Sequence, residues 1–206
     1  MTVTLTNAGK RFGYEWIFRG LTYCFQTGQR YALTGPNGCG KSTLMRVLSG
    51  HLSLSRGEIR FEEQGRVLEV DAVYRRVSMA APYIELIEEL SLGELLRFHE
   101  RLRPFRENLD ATRLVELLHL RTARHKPLRQ YSSGMKQRVR LALAICTDAS
   151  LLLLDEPTTN LDAEGVRWFA DLLEAHSAER TVIVASNVEQ DLQLCTHRLS
   201  VLDYKA

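Results

Sequence analysis

No apolar run in the 206-residue chain approaches the roughly 20 residues that a bilayer-spanning helix needs. The opening residues, MTVTLTNAGKRFGYE, hold no apolar block of the signal-peptide kind. Cysteine is scarce, and Cys24, Cys39, Cys146 and Cys195 form neither a CxxC pair nor a zinc spacing. They read as reduced, mostly buried small apolar residues, with Cys39 set apart by its place in a glycine-rich loop. Cys195 and His197 lie two apart, but two ligands make no metal site. Neither sign of charge dominates: 27 Lys and Arg stand against 25 Asp and Glu, a net +2 spread along the chain. Nothing in that balance calls for nucleic acid or an anionic membrane surface. Internal repeats and low-complexity segments are missing as well. The expectation is a soluble chain of the cytosol with one domain, or one core carrying a subdomain.

The stretch GPNGCGKST, residues 35–43, is what the sequence does hold. It follows an alternating run ending at Leu33 and precedes a helical pattern, LMRVLSG. Gly35, Gly40, Lys41 and Ser42 occupy the fixed places of G-x-x-x-x-G-K-[ST]. Each type has a physical reason. Glycines let backbone N–H groups curl round an anion without Cβ clashes. A helix opening at Lys41 turns its positive dipole end to the phosphates. The Lys41 ammonium can bridge β- and γ-phosphates, and the Ser42 hydroxyl can ligate Mg²⁺.

Residues 2–34 alternate in short runs (TVTLT, GLTYCF, QRYALT) that read as strands. A helix is expected over 42–50, ending at Gly50. GEIRF and RVLEV look like a hairpin, and RRVSMA like a further strand. Residues 91–147 carry apolar positions at helical spacing, with Ser91, Asp110 and Ser132 as plausible caps. LLLL at 151–154 is apolar on both faces, as a central parallel strand should be. A helix (163–177), a strand (181–185), a short helix (188–194) and a last strand (198–202) follow. The expected class is α/β: a phosphate-loop core with an N-terminal antiparallel β subdomain over 1–90 and 148–206, and an inserted α-helical subdomain over 91–147.

Two further motifs matter. LLLLDEPTTNLD sets Asp155 and Glu156 at the carboxyl end of a buried strand, where open α/β sheets place their ligands. One carboxylate there can hold Mg²⁺ and a second can accept a proton from an attacking water. YSSGMKQR, 131–138, precedes a long helix and by itself could be no more than a serine cap with a polar first turn.

The order GPNGCGKST, YSSGMKQR, LLLLDEPTTNLD, then TVIVASN resembles the ATP-binding cassette (ABC) ATPase subunits of transporters, over essentially the whole chain. The compact length resembles haem-exporter cassettes, and the YSSGMKQR form those of ABC-2 type exporters. The resemblance implies roles. Gly35, Pro36, Asn37, Gly38, Cys39, Gly40, Lys41, Ser42 and Thr43 would bind ATP and Mg²⁺. Asp155 would support the metal with Ser42, and Glu156 would be the general base beside Lys41. Asn160, Leu161 and Asp162 would line a dimer seam. Phe12 would stack on adenine, with Tyr14 and Trp16 as competitors and core packing as the alternative. Ser132, Ser133 and Gly134 would meet the ATP held by a second cassette, in a head-to-tail homodimer. The pore would be a separate transmembrane subunit, holding this chain on the inner face of the cell membrane.

The chain departs from that pattern twice. After RRVSMA the family usually has a glutamine; here Ala81 or Pro82 takes the place. After TVIVAS it usually has a histidine; here it is Asn187, which would touch the γ-phosphate or merely cap a helix beginning near Val188. Three readings therefore stand: a transport ATPase, a soluble cluster-assembly type ATPase, and a weakly hydrolysing nucleotide-dependent scaffold.

Overall fold

The computed structural model describes residues 1–106 and 109–205; residues 107 and 108, inside the stretch read as helical, and residue 206 lie outside it. Along the chain run β1 (Thr2–Phe12), β2 (Glu15–Phe25), β3 (Arg30–Thr34), α1 (Lys41–Leu48), β4 (Arg56–Glu63), β5 (Arg66–Val67), α2 (Val70–Val73), β6 (Val77–Ala80), α3 (Leu92–Leu102), α4 (Ala111–Leu117), α5 (Ser133–Cys146), β7 (Leu151–Asp155), α6 (Ala163–His176), β8 (Thr181–Ala185), α7 (Glu189–Leu192) and β9 (His197–Ser200).

Two sheets form. One is antiparallel, in the order β2-β1-β4-β5. The other is parallel, in the order β6-β7-β8-β3-β9. The α/β class expected from the alternation of elements holds. The parallel strands are apolar without alternation because both faces are covered. Side chains of one strand still point to opposite faces. Leu152 and Leu154 therefore join Val182 and Val184 in a cluster with α5 and α6, while Leu151, Leu153 and Ile183 pack with α1 and the antiparallel sheet. All seven are fully buried. Removing one Leu side chain down to Ala in such a layer costs about 2–5 kcal/mol.

The three caps read from the sequence are made. The Ser91 side chain accepts from Glu94 N and Glu94 answers to Ser91 N, a capping box. Asp110 accepts from Arg113 N and Ser132 from Met135 N. Gly50, at φ 77°, ends the first helix just beyond Ser49. Three expectations fail. RVLEV pairs only through Arg66 and Val67 before the chain turns into α2. The last strand ends at Ser200, and Val201–Tyr204 form a 3₁₀ turn with Val201 fully buried. Cysteines are not mostly buried: Cys39 and Cys146 are, Cys195 is half-buried and Cys24 is exposed, its side chain falling on the open face of an edge strand.

Candidate nucleotide site

Four neighbouring strands of the parallel sheet, β6, β7, β8 and β3, discharge their following loops at one edge. Those loops carry Ala81–Tyr83, Asp155–Glu156, Ser186–Asn187 and Gly35–Lys41. This is the edge at which open parallel sheets bind ligands.

In the loop after β3, Gly35, Gly38 and Gly40 all have positive φ, at 135°, 78° and 110°. Two of them also lack room for a side chain. A Cβ at Gly35 would lie 2.7 Å from Cys39 Sγ, and one at Gly40 would lie 2.6 Å from Ile17 Cγ2 on β2. At Gly38 nothing stands within 4 Å, so the backbone there is open to an incoming group. Among the described residues the N–H groups of Gly38, Gly40, Lys41, Ser42 and Thr43 donate to no protein oxygen. With the N-terminus of α1 they form a cradle for an anion. Lys41 is 6% exposed, and its Nζ donates to Gly35 O (2.6 Å), Pro36 O (3.3 Å) and Asn187 Oδ1 (3.1 Å).

Opposite lies Asp155, 2% exposed, with neither carboxylate oxygen hydrogen-bonded. Burial pushes its pKa up; the Ser42 hydroxyl facing it, without closing a hydrogen bond, works the other way, as do the charges of Lys41 and Arg46. A buried, unpaired carboxylate is costly unless a cation compensates it. Its donor chemistry, a carboxylate beside a hydroxyl, suits a hard divalent cation. Among the described residues no group of three or more His, Cys, Asp or Glu gathers as a metal cage. Few protein ligands, with phosphate oxygens and waters as the rest, is the usual way Mg²⁺ is held. The residues present therefore fit Mg²⁺.

Glu156 has φ 49°, uncommon for a non-glycine residue. Its N–H donates to Ala185 O at 2.8 Å, so β8 holds the turn that lifts Glu156 out of the strand. Strain of this kind, about 1–3 kcal/mol, gathers at functional sites. Asp191, buried, accepts at Oδ2 from Ser186 (2.6 Å) and Thr158 (3.1 Å), tying the loop after β8 to the loop beyond Glu156.

Asn187 does not cap α7. The N-cap position is Val188, with no side-chain cap; Val188 N donates to Ser186 Oγ at 3.0 Å just outside the helix, while Asn187 Nδ2 donates to Asn37 Oδ1 at 2.6 Å. After β6, Ala81 is buried, and Pro82 and Tyr83 form the corners of a turn closed by Ile84 N on Ala81 O; the Tyr83 side chain packs on Arg46 of α1. Its ring lies under the Arg46 guanidinium, 4.1 Å from centroid to carbon, and its hydroxyl pKa is pushed up to about 12 by burial and then by the Asp155 charge. The Cys39 thiol points down into the apolar cluster beneath the loop, 2% exposed.

Phe12 stands at the tip of the β1–β2 hairpin, 52% exposed, with Lys10 Nζ 5.3 Å from its ring centre. Trp16 is occupied by Arg11 and Arg19 on its ring and by Gly9 below it; Tyr14 is fully exposed. Of the three, Phe12 combines a free face with an anchored backbone, paired to Glu15. Ser132, Ser133 and Gly134 open α5, and among the described residues none of them hydrogen-bonds the phosphate loop; Ser133 instead lines a pocket with Pro82, Thr159 and Asn160. A Cβ on Gly134 would come 2.9 Å from Asn160 O. Three residues that sequence reasoning passed over, Arg46, Arg140 and Asp191, share one feature: each is a polar helix residue whose partners lie in loops that follow strands. Arg140 donates to Ile84 O and to Gln137 Oε1, and Gln137 Nε2 to Pro157 O, so α5 grips both the loop after β6 and the loop after Glu156.

The fold and the site define a phosphate-loop, nucleotide-binding α/β protein. The family profile described as "ABC transporter" matches residues 18–159, and the chain belongs to that family. It is 33% identical over 205 residues to a daunorubicin resistance ATP-binding protein of Streptomyces coeruleorubidus, covering 98% of this chain and 65% of that one. The chain thus spans about two thirds of that relative's length. With a cytochrome c biogenesis ATP-binding export protein of Brucella abortus it shares 34% identity over 179 residues, 87% of this chain and 81% of the other. The dimeric structure of a bacterial ABC transporter cassette superposes with TM-score 0.80 at 20% identity, covering 97% and 95% of the two chains, and shows the same fold.

Proposed function

We propose that the chain is the ATP-binding and ATP-hydrolysing subunit of an ABC transporter, working through a separate membrane subunit. The observation that carries this reading is the buried, unpaired Asp155 carboxylate facing Ser42 at the mouth of an anion cradle. In this reading Gly35–Thr43 hold the ATP phosphates, and Lys41 leaves its backbone acceptors to bridge the β- and γ-phosphates. Ser42 and Asp155 hold Mg²⁺, whose charge, when bound, screens the phosphate oxygens. Glu156 takes a proton from the attacking water, and Asn187 steadies the loop at the γ-phosphate. Phe12 stacks on the adenine face. Residues 1–90 with 148–206 act as the nucleotide-binding core and 91–147 as the helical part.

In this reading a second copy completes the site, since among the described residues Ser132, Ser133 and Gly134 make no hydrogen bond to this chain's own phosphate loop. A head-to-tail homodimer brings them to the ATP of the partner copy, and ATP favours the closed pair since it touches both copies only there. The membrane subunit docks through an apolar segment in a groove of about 240 Å³, where Ile87, Phe98 and Leu102 are exposed. That groove supports the transport reading over a free soluble ATPase, and in this reading the chain works on the cytoplasmic face. Incubation with Mg²⁺ and ATP, followed by phosphate release at single turnover, tests the enzyme. Pull-down from detergent-solubilised membranes tests the partner. Absence of both binding and phosphate release overturns the proposal.

A further inference from the structure

Another cavity lies in the helical part, and none of its lining residues belongs to the loops at the sheet edge. It holds about 530 Å³ between α3, α4 and the 3₁₀ turn Arg121–Ala123. Volumes of this size take small organic ligands. Its walls carry Arg97 of α3, Val115 and Glu116 of α4, and Arg121, Arg124 and His125. The cations belong to an unbalanced stretch of sequence. Residues 117–147 hold seven Lys or Arg and no Asp or Glu, in a chain whose net charge is only +2.

The arginines are held in place. Gly93 N donates to Arg124 O at 3.3 Å and Leu128 N to Leu90 O at 2.9 Å, so the segment after the turn is tied to the entry of α3. Behind it, the Tyr131 hydroxyl donates to Ala123 O at 2.8 Å. Arg97 folds back over Gly93, where a Cβ would lie 3.5 Å from its Nη1 and 3.9 Å from Arg124 O. Arg124 Nε donates to His125 Nε2 at 2.9 Å, which orients the guanidinium and spends one of its donors. Its Nη1 and Nη2 have no hydrogen-bond partner among the described residues. Arg121 pairs with Glu116. Among the described residues Arg97 and Arg124 make no ion pair. Glu94, on the turn before Arg97, is spent on Ser91 in the capping box.

We propose that this cavity binds the phosphate group of an organic phosphate monoester, with Arg97 and Arg124 as its main donors. A guanidinium fork meets phosphate oxygens two at a time, which a lysine ammonium does not. Among the lining residues three guanidinium groups stand against the one carboxylate of Glu116, an excess of two positive charges. A phosphate monoester carries about −1.5 to −2 at neutral pH, which matches that excess. The cavity is larger than a bare phosphate needs, and Val115 with the arginine stems gives the organic part an apolar wall. The same group is carried by soluble esters and by phosphatidic acid in a bilayer. The site reads the group and not its carrier.

Glycerol 3-phosphate is titrated into the whole chain by calorimetry, with glycerol as the blank. In a second arm the chain is sedimented with vesicles of phosphatidylcholine alone or mixed with phosphatidic acid. Arg97→Gln and Arg124→Gln remove the charge. Arg97→Lys and Arg124→Lys keep the charge and remove the fork. Lys41→Ala reports any binding at the phosphate loop instead. Each Gln change is expected to weaken binding by about 3- to 10-fold, the size of a charge-assisted hydrogen bond discounted for exposure. The Lys changes weaken it nearly as much, Lys41→Ala leaves it as in the wild type, and melting temperatures stay unchanged because the altered side chains are exposed. Binding in the calorimeter identifies a soluble ester as the carrier. Binding only to the phosphatidic acid vesicles, weakened by the same variants, identifies the lipid, and either result upholds the site. Binding in neither arm overturns the proposal, as does a Gln variant that binds like the wild type. Full affinity in the Lys variants would mean diffuse charge without a site, and loss in Lys41→Ala would move the binding to the phosphate loop; both overturn it as well.

Discussion

Lys41 and Asn187 meet across the mouth of the site, the ammonium donating to Asn187 Oδ1 at 3.1 Å. Asn187 also holds Asn37 in the phosphate loop, so one short side chain links two strand ends, β8 and β3. Unlike histidine, asparagine does not titrate near neutrality. Since α7 has no side-chain cap for the change to remove, Asn187→Ser is expected to leave the melting temperature unchanged. Turnover should fall about tenfold, because a hydrogen bond to a charged group is worth about 1.5–3 kcal/mol and water recovers part of it. Turnover equal to wild type would remove Asn187 from the phosphate contact.

Glu156→Gln keeps the side-chain shape and the strained backbone, whose N–H bond to Ala185 is independent of the side chain. A positioned general base contributes about 10²- to 10⁴-fold. The variant should bind ATP, lose turnover by at least about 100-fold, and accumulate a dimer in sedimentation. Wild-type turnover in the variant would take Glu156 out of the mechanism.

The sequence made the site's strand ends legible because their chemistry is local. GPNGCGKST needs only a strand before it and a helix after it, and the run Leu151–Leu154 announces burial on both faces. Caps at Ser91, Asp110 and Ser132 were readable for the same reason. What escaped depends on distant parts of the chain. Whether Cys39 faces the ligand or the core is set by the curl of the loop under Gly35, not by its neighbours. Tyr83 is aimed by a turn that Arg140, 56 residues on, holds in place. That Asn187 joins the phosphate loop instead of capping α7 depends on Asn37, far away in sequence.

Cys39 gives a labelling prediction opposite to the one its position in the loop suggests. Its thiol lies under the backbone, so nucleotide has nothing to shield. In the folded protein an alkylating reagent should modify Cys24 first. Cys195 should lag although half-exposed, since burial pushes its thiol up to about 12 and only the thiolate reacts. Cys39 and Cys146 should react only on unfolding. Peptide mapping over time checks the order, and Cys39 labelling as fast as Cys24 would show that its thiol faces outward.

His99 sets a pH dependence of stability. Its ring stacks on Phe105 at 5.3 Å, and Nε2 lies 2.7 Å from Thr147 Oγ1. That hydroxyl spends its proton on Leu143 O, so Nε2–H is the donor. Burial, with Arg103 adding to it, lowers the pKa to about 4. Above the unfolded value of 6.5 both states are neutral and the fold keeps its full stability. As pH falls the unfolded chain takes up the proton first, and stability drains between about 6.5 and 4; below that both states carry it and the loss stops. At pH 5 the His99 share is about 2 kcal/mol, less whatever its partial exposure screens. Asp155 and Asp191, whose pKa values burial raises, act in the opposite direction, so the total slope is a poor guide. The comparison with His99→Gln isolates the term, since the amide can still donate to Thr147 but cannot titrate. Urea unfolding at pH 7 and pH 5 should show the wild type losing about 1–2 kcal/mol more than the variant, and equal losses would mean that His99 is not held neutral.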